Sequence, residues 1–274
     1  MSQYDVVVLG GGPAGLSAAL NVRARNQSVL VVSNPLEENP LWKSHLVDNH
    51  VGMGNQSGAQ MLQTMADHAK ANGVAFMDGK ALTTMAVGNG FFVSVGSDVV
   101  EAAAIVLATG VARSKKFAGE ETFIGKGVSY CATCDAFAYR GKTVAVVGYT
   151  PSAQHEAEFL EQVGCTVHYF NKPKTCVLAG ETTLQTITCD DVTIPVDGAF
   201  ILRPTMAPTD LFPELALDGG YVAVNRNMET NLNGVFAAGD CTGGPLQVSK
   251  AVGEGLVAGQ KAAVYANKIK QIKE

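Results

Sequence analysis

The chain has 274 residues, 47% of them hydrophobic and 16% charged, with a formal net charge of -5 and a pI near 5.6. That balance supports a large buried core, excludes a disordered chain, and argues against nucleic acid as a bulk electrostatic partner. No apolar stretch reaches the roughly 18 residues of a membrane helix, and the first apolar run, Val6 to Leu9, is too short for a signal segment, so a soluble cytoplasmic protein without a membrane partner is expected.

Tyr4 to Leu9 is Val-rich and reads as a parallel strand buried on both faces. It runs into Gly10-Gly11-Gly12-Pro13-Ala14-Gly15, a helical stretch from Leu16 to Arg25, and a second strand from Ser28 to Val32, which together make a βαβ unit. Ser57 to Asn72 follows as an amphipathic helix with Met61, Leu62, Met65 and Ala69 on one face. Segments around Phe91–Val95 and Ala103–Leu107 read as short strands, the second ending in Ala108-Thr109-Gly110. At Lys142 to Val147 the pattern starts again: strand, glycine turn, a helix through Gln162, and a strand from Thr166 to Phe170. Setting Gly148 on Gly10 aligns the two units, and a repeat of this length indicates two related mononucleotide-binding halves. Two further strands, Gly198–Leu202 and Gly234–Ala238, precede Gly239-Asp240 and a last helix from Gln247 to Lys268 with a basic end.

Gly10, Gly12 and Gly15 form a G-x-G-x-x-G between a strand and a helix. The first glycine makes the turn, the second lets backbone approach a pyrophosphate, and the third permits close helix–strand packing. At the end of the second strand Ser33 stands where an acidic ribose contact is usual, which weakens a nicotinamide reading more than a flavin one. Asp240 fits either a carboxylate reaching a flavin ribityl hydroxyl or a helix N-cap.

Six cysteines are too few for a disulfide scaffold, so they are expected to be mostly reduced thiols. Cys131 and Cys134, in Cys131-Ala132-Thr133-Cys134-Asp135, have the spacing that thiol–disulfide exchange uses. No metal is expected, because a zinc site needs a second ligand pair and Cys165, Cys176 and Cys189 do not supply one. Those three and Cys241 read as buried small residues.

In chain order, GGGPAG, VDNHVGM, LATG, GVSYCATCDAF and VFAAGDCTGG resemble the low-molecular-weight thioredoxin reductase family over nearly the whole chain. The resemblance implies an α/β fold with two Rossmann-like, three-layer nucleotide-binding domains, the second truncated and inserted in the first. Residues 1–112 and 198–274 would form the FAD-binding domain, and 113–197 a reduced pyridine-nucleotide-type domain carrying the redox pair. It further implies a homodimeric flavoprotein oxidoreductase that binds FAD and reduces thioredoxin. Gly10, Gly12, Pro13, Ala14, Gly15, Ser33, Asn49, Thr109, Gly110, Asp240, Gln247 and Val248 would form the FAD site. Cys134 would face the flavin, Cys131 would attack the partner disulfide, and Asp135 would be the general acid.

Three departures bear on the electron donor. The family's pyridine-nucleotide loop begins G-G-G-x-x-A, whereas this chain reads Gly148-Tyr149-Thr150-Pro151-Ser152-Ala153, with a β-branched residue where none fits. The arginine pair expected after the next strand is replaced by His168-Tyr169-Phe170-Asn171-Lys172. The span from Thr166 to Gly198 also leaves room for only short strands, so NADPH is not the expected donor. The sequence looks like family members without nicotinamide motifs, which are ferredoxin-linked. The alternatives are a conventional NADPH-dependent thioredoxin-disulfide reductase with a divergent nucleotide site and a non-enzymatic flavoprotein. Trp42, the only tryptophan, is a candidate for flavin cover or for plain packing.

Overall fold

The structure, a computed structural model, describes residues 2–111, 116–150, 152–203 and 207–273; Pro151 and the side chains of Thr133, Cys134 and Lys273 lie outside the described residues. The chain divides into two units, residues 1–112 with 205–274 and residues 113–204.

The first unit opens with β1 (Ser2–Leu9), α1 (Pro13–Arg23) and β2 (Val29–Ser33), then α2 (Gly58–Ala71), β3 (Ala75–Asp78), β4 (Ala81–Val87), β5 (Gly90–Val95) and β6 (Asp98–Leu107). Val6, Val7 and Val8 are fully buried, as a parallel strand covered on both faces requires. The sheet order is β3-β2-β1-β6-β5-β4, parallel from β3 to β6 and antiparallel through the β6-β5-β4 meander. Ser57 and Gln60 close a reciprocal capping box that starts α2. Asp5 interrupts the apolar run of β1. Its carboxylate accepts from the Ser28 backbone N–H at 2.7 Å and hydroxyl at 2.8 Å, and pairs with Lys270 at 2.7 Å. Burial raises the Asp5 pKa, but these partners outweigh it and hold the group below the usual carboxylate range.

The second unit contains β7 (Val128–Ser129), α3 (Ala132–Asp135), β8 (Thr143–Gly148), α4 (Ala153–Val163), β9 (Thr166–Asn171), β10 (Cys176–Ala179), β11 (Thr186–Cys189), β12 (Val192–Pro195) and β13 (Gly198–Leu202). Its main sheet has the parallel order β7-β13-β8-β9. Alternate residues of β8 and β13 face opposite layers. Val144, Val146, Phe200 and Leu202 pack with Ala157 and Leu160 of α4, while Ala145, Val147, Ala199 and Ile201 pack with Leu178 and Ile187 of the antiparallel sheet β10-β11-β12. A small sheet thus occupies the face where a second crossover helix would complete a doubly wound domain. The expected domain return at 198 is corrected to 205, because β13 pairs with β7 and β8 and completes this second sheet.

The first unit resumes with α5 (Pro208–Leu211), β14 (Leu217–Asp218), β15 (Tyr221–Val222), β16 (Val235–Ala237) and α6 (Val248–Lys273). β16 extends the large sheet by pairing in parallel with the end of β6. α6 lies against α1 so closely that a Cβ at Gly255 or Gly259 would stand 2.2 Å from the carbonyl oxygen of Ala14 or Ala18. Trp42 is partly buried against this unit's core.

The expectation that Cys176 and Cys189 are reduced thiols is corrected. They face each other across the β10-β11 pair, with Cα atoms 4.2 Å apart, and form a disulfide. Both are buried, at 4% and 1% exposure, so the bond is a core staple shielded from exchange with solvent thiols. The double substitution Cys176→Ala with Cys189→Ala lowers unfolding stability by about 2–4 kcal/mol, the range for closing a short loop. A urea midpoint unchanged from wild type would show that the staple contributes nothing.

Candidate active site

In the first unit, the turn from β1 into α1 has the shape a dinucleotide demands. Gly10 has φ +120°, and a Cβ there would meet the Ala108 carbonyl oxygen at 2.2 Å; one at Gly15 would meet the Gly10 oxygen at 1.8 Å. Neither position admits a side chain. Gly12 is the N-cap of α1, no side chain caps it, and Pro13 starts the helix, so the first-turn N–H groups point outward for an anion. Ala14 follows in the helix and is buried. Thr109 carries a buried hydroxyl with no hydrogen-bond partner among the described residues, and Gly110 beside it has φ +68° with open space where its Cβ would be. The Ser33 hydroxyl is turned to the Asn34 carbonyl, at 2.6 Å.

Residues far apart in sequence meet at the start of α6. The Asn49 amide donates to Gln247 Oε1 at 2.8 Å, and His50 Nδ1 lies 3.0 Å from the Ser249 hydroxyl. Val248 is the first residue of α6. Asp240 opens the 3-10 turn after β16. This turn is held by two residues that sequence reading missed. The Lys250 ammonium donates to the carbonyls of Gly239 (2.8 Å) and Gly243 (2.6 Å) and to the Thr242 hydroxyl (2.9 Å), and it pairs with Glu254 at 3.1 Å. Glu254 in turn accepts from the Gly239 N–H and the Thr242 hydroxyl, each at 2.8 Å. The uncapped helix end, the side-chain-free glycines and the orphaned Thr109 hydroxyl all fit FAD, and Gly10, Gly12, Pro13, Ala14, Gly15, Thr109, Gly110 and Asp240 are the residues that would hold it.

In the second unit, Cys131 is disulfide-bonded and sits directly before α3. The Ser129 hydroxyl lies 2.6 Å from Asp135 Oδ2 and 3.2 Å from the Cys131 backbone N–H. The Ala132 N–H points to Glu156 of α4 at 3.4 Å. The other two thiols are chemically quiet. Burial pushes Cys241 up to about 12 and raises Cys165 as well, so neither is a nucleophile near neutral pH.

A pyridine nucleotide in such a fold lies outside the carboxyl ends of the parallel strands. Here side chains of the chain itself cluster just past the ends of β8 and β13. Tyr149, just past β8, donates its backbone N–H to Leu202 at 2.9 Å and its hydroxyl to the Pro173 carbonyl. Its ring lies 6.3 Å from that of Phe117, and the Arg203 guanidinium covers Phe117 at 4.8 Å. Arg203, just past β13, grips the fully buried Glu120 with two hydrogen bonds of 2.5 and 2.8 Å, and the Tyr130 hydroxyl donates to the same carboxylate at 2.9 Å. Burial raises the Glu120 pKa, but the Arg203 bonds, the Phe117 N–H and Tyr130 hold it below the usual range. Thr150 is buried, its hydroxyl 3.1 Å from that of Ser152. Sequence reading found Thr150 but not the aromatic and ionic cluster, whose members are scattered from 117 to 203.

A dinucleotide-binding unit joined in one chain to a unit with a paired redox cysteine defines a flavin-dependent disulfide oxidoreductase. The chain belongs to the pyridine nucleotide-disulphide oxidoreductase family, whose model matches residues 4–187 and 176–255. It is 30% identical to a thioredoxin reductase of Listeria monocytogenes over 98% of this chain and 95% of that protein. That alignment runs over 312 positions, longer than the chain itself, so the relative carries residues this one lacks. Among solved structures, a ferredoxin-flavin thioredoxin reductase from Clostridium acetobutylicum matches with 35% identity and a TM-score of 0.92, covering 99% of this chain and all of the other. A thioredoxin reductase from Gloeobacter violaceus matches with 26% identity and a TM-score of 0.83 over 98% and 96% of the two chains. Among the described residues, no helix is long and apolar enough to cross a membrane.

Proposed function

We propose that this protein is a thioredoxin-disulfide reductase that draws its electrons from reduced ferredoxin rather than NADPH, and that it works as a homodimer in the cytoplasm. The observation that carries the donor assignment is the cluster of Tyr149, Phe117, Arg203 and Glu120 at the strand ends of the second unit, which we read as occupying the place of a nucleotide. The likeness to a ferredoxin-flavin thioredoxin reductase over the full chain supports the same reading. The energetics allow it: a plant-type ferredoxin near -400 mV and thioredoxin near -270 mV differ by roughly 130 mV, or about 6 kcal/mol for two electrons. When bound, FAD supplies the conversion between single electrons and the electron pair of a dithiol.

The chain's own residues then carry the exchange. The Cys131 thiol gives its proton to Asp135, and the thiolate attacks one sulfur of the thioredoxin disulfide. A Cys131–thioredoxin bond forms as the thioredoxin S–S bond breaks, and the departing thiolate takes the proton from Asp135. Cys134 then attacks Cys131 Sγ in the same way, releasing the second thioredoxin thiolate with a proton. The enzyme pair ends oxidised and thioredoxin ends as the dithiol.

Purified protein is expected to be yellow, with one releasable, non-covalent FAD per chain; colourless protein made with ample flavin would refute the cofactor assignment. The donor is tested by adding NADPH or reduced ferredoxin anaerobically and following the visible flavin band. Bleaching by ferredoxin alone supports the proposal, and bleaching by NADPH with turnover of thioredoxin restores the conventional reductase.

A further inference from the structure

We infer that Ser129 is a positioning residue for the thiol–disulfide exchange, holding Asp135 in register with Cys131 and fixing which carboxylate oxygen moves the proton. The inference rests on the assignment of Asp135 as general acid made above. Ser129 is only 6% exposed, and β7 pins its backbone by pairing it with Phe200 of β13. Its hydroxyl has one proton and three neighbours: Asp135 Oδ2 at 2.6 Å, the Cys131 N–H at 3.2 Å and the Cys131 carbonyl at 3.2 Å. A donor distance of 2.6 Å is that of a hydroxyl bonded to a carboxylate, so the proton goes to Oδ2 and the lone pairs receive the Cys131 N–H.

One buried oxygen thereby links the backbone of the nucleophile to the side chain of the acid. Because Oδ2 is committed as an acceptor from Ser129, the proton transferred during exchange resides on Oδ1. Without the hydroxyl, the exposed Asp135 side chain is free to rotate about its own bonds, and the acid loses its fixed position relative to Cys131.

The test uses holoenzyme reduced beforehand with dithionite, freed of reductant, and mixed with oxidised thioredoxin. Thioredoxin thiols are counted after acid quench across a range of thioredoxin concentrations. This single-turnover format is independent of the electron donor. S129A is expected to lower the limiting rate roughly tenfold, the scale of a lost hydrogen bond to a charged group, with half-saturation unchanged. S129T keeps the hydroxyl and is expected to recover most of that rate. In the D135N background, S129A is expected to cost nothing further, because its effect passes through the carboxylate. A wild-type limiting rate in S129A overturns the inference, as does a defect confined to half-saturation, an S129T as slow as S129A, or a full multiplicative loss in the double variant. If D135N itself keeps the wild-type rate, the general-acid assignment fails instead, and the two failures are told apart by that single variant.

Discussion

Cys131→Ser and Cys134→Ser each bring thioredoxin reduction to background while leaving the protein yellow. Exchange needs two sulfurs in turn, one to form the bond to thioredoxin and one to release it, and a serine oxygen can form neither disulfide. The loops that would hold FAD, Gly10 to Gly15, Thr109–Gly110 and Asp240, belong to the other unit, so cofactor content is expected to stay near one per chain. Asp135→Asn, which keeps both sulfurs, slows exchange by about 10²-fold, the lower end for a lost general acid. Near wild-type turnover in either cysteine variant would rule out the two-cysteine mechanism.

The second large effect concerns the donor. Wild-type protein at about millimolar NADPH, the upper end of ordinary Michaelis constants, keeps its flavin oxidised for minutes, whereas reduced ferredoxin bleaches it and sustains thioredoxin reduction. Thr150→Gly alone does not rescue NADPH activity. Removing that side chain restores close backbone approach at one point, but Tyr149 stays anchored by its backbone N–H to Leu202 and by its hydroxyl to Pro173, and the Arg203–Glu120 pair stays buried beside Phe117. Opening the crevice would leave one of those charges buried without its partner, which costs about 3–5 kcal/mol. No arginine fork follows β9 to hold a 2′-phosphate. Turnover with NADPH at micromolar KM in wild-type protein would sink this reading. Failure of every ferredoxin tried would move attention to a flavodoxin.

Much of this was legible from the residues because local rules agree with the fold. The strand–glycine–helix order at Val6–Gly15 and again at Val144–Ala153 marks both parallel sheets, and the amphipathic helix read from Ser57 matches the start of α2 to within a residue. Cys131 and Cys134 are found by spacing alone. What escaped depends on register and on distant contacts. Nothing in the separation of Cys176 from Cys189 signals a bond; only the hairpin pairing that sets them opposite one another creates it. The same holds for Lys250 and Glu254, which look like solvated helix charges until the 3-10 turn after β16 folds back on them. The boundary at 198 was misplaced because β13 reads as a buried strand that either sheet could take, and only its pairing partners decide.

The insertion of one unit within the other has a consequence for how the chain is made. α6 forms the layer against α1, and β16 the pairing along β6, yet both are encoded after the whole second unit. A growing chain therefore presents a self-contained 113–204 segment that can fold as soon as it clears the ribosome, while β1, α1 and β6 wait with an incomplete sheet. Gly255 and Gly259, where α6 crosses α1, are among the last residues to be synthesised. Translation halted before residue 248 yields every strand of the large sheet but omits α6, so α1 is left without the helix that packs on it.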